Sequence, residues 1–181
     1  MPARIVLQQA DITRSLTRIA HEILESNRSS DALVILGIPT RGVVLAERLG
    51  ALVRELTEVP VSVGALDVTM YRDDLDRRPT RAPSPTAIPA GGIDGAMVVL
   101  VDDVLYSGRT IRAALDALGA IGRPRVVRLA ALVDRGHREL PIRPDFVGKN
   151  LPSAQSERIN VHLREIDGDE FVSIDEPGDS A

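Results

Sequence analysis

The sequence predicts an α/β domain built on a mostly parallel sheet. Strand-like apolar runs alternate with segments of helical period, glycine-bearing loops join two of the strands to the helices after them, and no internal repeat interrupts the pattern.

In chain order, Asp11 is placed to cap a helix carrying Ile12, Leu16, Ile19, Ile23 and Leu24 on one face. Ala32-Leu33-Val34-Ile35-Leu36 reads as a buried strand, Gly37 to Gly42 as a loop, and Val43 to Leu56 as a helix. Val61 to Met70 reads as one extended strand or a bent pair. Arg72 to Gly95 is rich in Pro, Gly, Asp and Arg and has no periodicity. Loops of that length are usually lids or binding loops, and a disordered insertion accounts for the composition almost as well. Met97 to Val101 form the next strand. After a loop, a helix starts near Thr110 with Ile111, Ala114, Leu115 and Leu118 inward. Val126 to Val133 make another strand, and shorter strands lie around Phe146, Ile159–Leu163 and Phe171–Ile174. The tail Asp175 to Ala181 is expected to fray.

A chain of 181 residues suffices for one good core, and a single domain over 1–181 is expected. The balance of 44% hydrophobic and 27% charged residues is that of a soluble globular protein. No apolar run approaches the roughly 20 residues of a membrane span, and Met1-Pro2-Ala3-Arg4 opens no signal-peptide core. The absence of cysteine excludes a disulfide framework and a thiolate zinc site, and it suits a cytoplasmic protein. A net charge of −4 argues against nucleic-acid binding through bulk charge, so such a role needs a local basic patch.

The strongest candidate site is Val98-Val99-Leu100-Val101-Asp102-Asp103-Val104-Leu105-Tyr106-Ser107-Gly108-Arg109-Thr110. In a parallel sheet, ligands lie at the carboxyl ends of strands. A helix start offers unpaired N–H donors and a positive dipole end to an anion. Gly108 lets the backbone come close, and the hydroxyls of Ser107 and Thr110 complete a cradle for a phosphate monoester. Asp102 and Asp103 would repel that phosphate, but they suit a neighbouring ribose. Each can accept a hydroxyl proton, and both offset positive charge growing at the anomeric carbon. On spacing alone, a strand end followed by a helix cap explains the pair equally well.

This segment resembles the 5-phosphoribosyl-1-pyrophosphate (PRPP) signature of type I phosphoribosyltransferases. A second strand–loop–helix unit, Ile35 to Gly42, resembles the pyrophosphate loop of the same enzymes. Its Thr40, Arg41 and Gly42 are the candidate pyrophosphate grip. A donor with phosphates at both ends of its ribose requires two such grips.

The likeness extends along most of the chain. Leu16-Thr17-Arg18-Ile19-Ala20-His21-Glu22, Tyr71-Arg72-Asp73-Asp74-Leu75, Asp134-Arg135-Gly136-His137-Arg138-Glu139-Leu140-Pro141 and Gly148-Lys149-Asn150 resemble the bacterial pyrimidine operon attenuators, the PyrR family. The resemblance implies the type I fold: a mostly parallel central sheet flanked by helices, with a small hood and a flexible active-site loop, here about residues 72–95. It implies uracil phosphoribosyltransferase activity, in which uracil and PRPP give UMP and pyrophosphate. Mg²⁺ would enter with the substrate, with no direct protein ligands. Asp102, Asp103 and Arg72 are the expected catalytic groups, Arg72 neutralising the leaving pyrophosphate. Asp134 and the strand with Ile159 and Val161 are the expected base contacts.

The same resemblance implies binding of a pyrimidine-operon leader mRNA under control of UMP or UTP. Arg14, Thr17, Arg18 and His21 on the first helix are the candidate RNA contacts, joined by Arg138 and Lys149, with Arg135, His137 and Arg143 nearby. That helix ends in Ser26-Asn27-Arg28, less basic than the family pattern. A homodimer or higher homo-oligomer would double the surface. Two other readings stay open here. One is a purely catalytic salvage enzyme for uracil or for hypoxanthine and guanine, since Pro144 to Gly148 also resembles purine salvage enzymes. The other is a regulator that keeps the donor site only as a nucleotide sensor.

Overall fold

The computed structural model describes residues 3–27, 32–74 and 82–175. The expectations for Arg28, for residues 75–81 of the long loop and for residues 176–181 of the tail lie outside the described residues.

In chain order the elements are β1 (Arg4–Gln8), α1 (Gln9–Ser26), β2 (Leu33–Gly37), α2 (Arg41–Leu56), β3 (Val61–Ala65), a 3₁₀ turn (Thr69–Tyr71), β4 (Met97–Leu105), α3 (Arg109–Ile121), β5 (Val126–Asp134), β6 (Phe146–Asn150), β7 (Arg158–His162), α4 (Arg164–Asp167) and β8 (Phe171–Asp175). Five strands pair in parallel in the order β3-β2-β4-β5-β6. A separate antiparallel sheet, β1-β8-β7, is the hood.

Strand alternation sorts the core onto two faces of the parallel sheet. Ile35, Val99 and Val101 pack with Ile12, Leu16, Ile19 and Ile23 of α1 and with Leu45, Leu49 and Val53 of α2. Val34, Leu36, Val98 and Leu100 pack with Ile111, Ala114, Ala117 and Leu118 of α3. Every residue of β2 is buried, as befits a strand covered on both faces. Each large aliphatic side chain fully buried here stabilises the fold by about 1.5–3 kcal/mol.

Several expectations need correction. Asp11 is not the cap of α1. Gln8 caps the helix, and Asp11, three residues on, accepts the Gln8 N–H at 2.8 Å in a capping box. Leu115 faces solvent at 43% exposure. The buried stripe of α3 centres on Ala113, Ala114 and Ala117, small residues that let the helix lie close to the sheet, and Leu115 falls roughly 150° from that centre. The strand expected over Val61–Met70 stops at Ala65 and gives way to the 3₁₀ turn. Part of the long loop has a fixed course. Ala87 exchanges both backbone hydrogen bonds with Ala65, and Ile93 is fully buried. Asp175, placed in the fraying tail, belongs to β8 and accepts a hydrogen bond from the Asn160 side chain. β1 was not anticipated. It is short, mostly exposed, and pairs with the far end of the chain.

Candidate active site

β2 and β4 lie side by side, yet the chain continues from β2 outward to β3 and from β4 the other way to β5. Their carboxyl ends therefore flank the switch point of the sheet, where open α/β sheets bind ligands. Both candidate loops leave from these ends. The two are stitched together by Ile38 N–H donating to the Val101 carbonyl at 2.9 Å.

β4 runs four residues beyond its predicted end, because Asp102, Val104 and Leu105 keep register with Ala131, Val133 and Asp134 of β5. The acidic pair thus sits on a strand. Asp102 is buried, and burial raises its carboxyl well above the usual range, with the negative charge of Asp103 adding to the effect. The backbone N–H of Asp103 donates to Asp102 Oδ1 at 2.9 Å, and that of Val104 to Asp103 Oδ1 at 2.9 Å.

The two carboxylates border different cavities. Asp102 lines one of about 540 Å³ with Arg72, Asp73, Asp74, Val104 to Ile111 and Glu139. Asp103 lines one of about 290 Å³ with Arg41, Val104 and the β7 residues Arg158 to His162. The first holds the Ser107–Thr110 loop, the expected phosphate cradle. Gly108 holds φ at +92°, a left-handed conformation that turns the chain into α3, and the Arg109 N–H donates to Ser107 Oγ at 3.3 Å. The segment after β5 backs this loop. Ser107 O accepts from the amides of Glu139 and Leu140, and the Arg138 guanidinium donates to Tyr106 O at 2.8 Å.

α2 starts at Arg41, two residues before its predicted start, which puts Gly42 in the first turn. A Cβ there would stand 2.5 Å from the Val101 carbonyl oxygen, so only glycine lets the pyrophosphate-type loop rest on β4. Arg41 lines the second cavity. Arg72 lies in the first cavity instead, its Nε and Nη2 each donating to the Asp74 carboxylate at 2.9 Å. Across the same rim, Arg109 bridges Asp73 and Glu139. The arginines of this rim, Arg72 and Arg109, are thus already paired with carboxylates.

The candidate base contacts do not share one cavity. The Ile159 and Val161 side chains are buried in the core beneath the hood, so β7 offers the cavity mainly its backbone and its other face. Asp134 sits at the end of β5 beside Asn150 and Ser153, accepting from Gly136 N–H and from Arg138.

The RNA candidates divide as well. Arg14, Thr17, Arg18 and His21 all lie on the exposed face of α1. Arg18 donates to the carbonyls of Val147 and Gly148 on β6, which brings the exposed Lys149 to the same side. Arg138 points elsewhere, into the donor loop and Asp134. Arg135, expected on that basic surface, is buried. It stacks 4.4 Å from the Tyr106 ring centre and donates to Ser153 Oγ and the Ala154 carbonyl. Sequence reasoning also missed the hood residues that reach α2, namely Glu165, Asp167 and Glu170.

Among the described residues, no cluster of three or more His, Cys, Asp or Glu side chains is arranged to hold a metal ion, and no helix is long and apolar enough to cross a membrane.

Residues 3–165 match the phosphoribosyl transferase domain family. The chain is 69% identical to the Bifunctional protein PyrR of Leifsonia xyli subsp. xyli, over 98% of its own length and 100% of that protein's. It is 63% identical to the protein of the same name from Streptomyces coelicolor, over 95% and 89% of the two chains. In fold it resembles the hypoxanthine phosphoribosyltransferase of Trypanosoma cruzi, with TM-score 0.71, 17% identity, and 96% and 97% of the two chains covered. It likewise resembles a hypoxanthine-guanine phosphoribosyltransferase of Bacillus anthracis, with TM-score 0.70, 16% identity, and 93% and 95% covered.

Proposed function

Because this chain belongs to the PyrR family of phosphoribosyltransferases, we propose that it is bifunctional, transferring phosphoribose from PRPP to uracil and binding pyrimidine-operon mRNA under uridine-nucleotide control. The observation that carries the catalytic half is the placement of Asp102 and Asp103 between two adjoining cavities, one built on a helix start and one on Arg41. PRPP spans them. Its 5′-phosphate takes the Ser107–Thr110 cradle, its pyrophosphate takes Thr40, Arg41 and Gly42, and its ribose hydroxyls meet the two carboxylates.

Substitution at an anomeric carbon passes through an oxocarbenium-like state. Asp102 and Asp103 offset that charge, and Arg72 exchanges Asp74 for the polyanionic donor. Uracil docks beneath β7, whose backbone around Ile159 and Val161 reads its edge, whereas Asp134, which lines a separate cavity and pairs with Arg138, does not contact the base. Mg²⁺ would enter with PRPP rather than on protein ligands, Asp103 being the carboxylate on the side of Arg41, and would lower the charge the protein must neutralise.

For RNA, Arg14, Thr17, Arg18, His21 and Lys149 form a basic face that works despite the acidic total, doubled in a homodimer or larger assembly. Arg138 acts on it indirectly, through the donor loop it grips. UMP or UTP in the active site is the effector. These partners place the protein in the cytoplasm.

Two assays test the reading. Base exchange with labelled uracil, hypoxanthine and guanine should yield UMP alone, and IMP or GMP formation would refute the uracil assignment. A pyrimidine-operon leader RNA should shift more readily with UMP present, and equal affinity with and without nucleotide would remove the regulatory half.

A further inference from the structure

We propose that Asp167, in the hood, is a positioning residue for the pyrophosphate grip: it holds the Arg41 guanidinium in place over the cavity bordered by Asp103. This inference rests on the reading of Thr40–Gly42 as the pyrophosphate loop. Arg41 donates from Nε to Asp167 Oδ2 at 3.3 Å and from Nη2 to Asp167 Oδ1 at 2.7 Å, a two-point contact that fixes the plane of the guanidinium. A guanidinium has five N–H groups. Two are used here, and the rest are left for an oxyanion.

Asp167 is itself fixed. Its Oδ2 accepts the Leu163 N–H at 2.9 Å, its own N–H donates to Leu163 O at 2.8 Å, and the α4 turn closes at Gly168 with φ at +80°. Burial opposes ionisation of Asp167, but the Leu163 amide and Arg41 outweigh it and hold the carboxyl below its ordinary value. The carboxylate is therefore charged throughout the neutral range.

The need for such a holder follows from what shares the cavity. Asp103 borders it together with Arg41. A long, flexible arginine with no other anchor would turn to that carboxylate, neutralising the ribose acceptor and masking the pyrophosphate donors together. Asp167 keeps the two apart.

A second clamp joins the same elements without touching this cavity. Arg48, seven residues along α2 and so on nearly the same face, pairs with Glu165 and Glu170 and borders a different cavity beside Gln9 and Thr13. Attachment of the hood and positioning of Arg41 are thus separable by mutation.

The test compares D167N, D167E, R41A and E165Q in the full chain, reading KM for PRPP, kcat, pyrophosphate affinity by titration calorimetry with Mg²⁺, and thermal midpoint. D167N should raise KM for PRPP and weaken pyrophosphate binding about tenfold, with kcat within about twofold of wild type. D167E should recover most of that loss, and E165Q should leave both constants unchanged. If D167N does not fold, R41K keeps the charge but loses the two-point contact and should show the same rise. Unchanged constants in D167N (or R41K in its place) beside weakened binding in R41A would overturn the inference alone. An equal loss in E165Q, or no recovery in D167E, would overturn it in favour of simple hood attachment. No effect of R41A would overturn the pyrophosphate-loop reading, and this inference with it.

Discussion

The phosphate cradle and the hood cavity meet at Asp102 and Asp103 but are assembled in opposite ways. The cradle comes from one stretch of chain, β4 running through Gly108 into α3, and its donors are largely backbone amides and hydroxyls whose positions the secondary structure sets. The hood cavity gathers Arg41, Asp103 and β7 from three distant stretches, and its cation is held by an aspartate 126 residues away. The cradle is preorganised by local geometry, whereas the hood cavity depends on the two sheets meeting correctly.

The largest expected effect comes where the cavities join. D102N combined with D103N should lower UMP formation by about 10³-fold or more while circular dichroism and the unfolding transition keep their native form. Substantial remaining turnover would mean that the pair merely ends a strand.

The next pair of variants separates the cavities. G108A forces a side chain into a left-handed conformation at a cost of about 1–2 kcal/mol, which should weaken ribose-5-phosphate binding roughly tenfold and leave pyrophosphate binding near wild type. G42A, whose new Cβ meets the Val101 carbonyl, should do the reverse. Equal losses of both ligands in both variants would mean that the two loops act as one site.

Asp102 gives a pH signature. Its folded pKa is raised, so the folded chain keeps a proton that the unfolded chain releases in the ordinary carboxylate range. The stability from this group is full below that range and falls as pH rises through the elevated value. D102N cannot ionise, so over the same window its melting temperature should stay flatter, with an advantage of roughly 1–3 kcal/mol at the upper end. Donor affinity should run the other way in wild type, rising as Asp102 ionises to receive ribose hydroxyls. Parallel melting curves would place the charge elsewhere.

The smallest expected change concerns neither cavity. K149A should weaken leader-RNA binding several-fold and reduce its salt dependence by about one unit of slope, with UMP formation unaffected. A matching loss of turnover would tie this residue to the catalytic site.

The same contrast explains what the amino-acid order reveals. Val98 to Thr110 is contiguous, so strand, acidic pair, glycine and helix start could be read directly, although the extension of β4 past Val101 comes from pairing with β5 and has no local signal. The hood strands β7 and β8 were visible, but β1, five residues with one buried, carries too short a pattern to register. Asp167 stands between two predicted strands with no local signal of a role. Its meaning depends on Arg41, and nothing in their separation along the chain links them. Arg135 and Arg138 looked like surface cations because composition cannot show that Tyr106, Ser153 and Asp134 await them.

One donor gripped at both ends, with Asp102 and Asp103 between, leaves room for its two halves at the same time. Titration calorimetry of ribose-5-phosphate into protein already saturated with Mg²⁺ and pyrophosphate tests it most directly. Both ligands should bind at once, each with nearly the affinity it shows alone. Mutual exclusion of the two would contradict it.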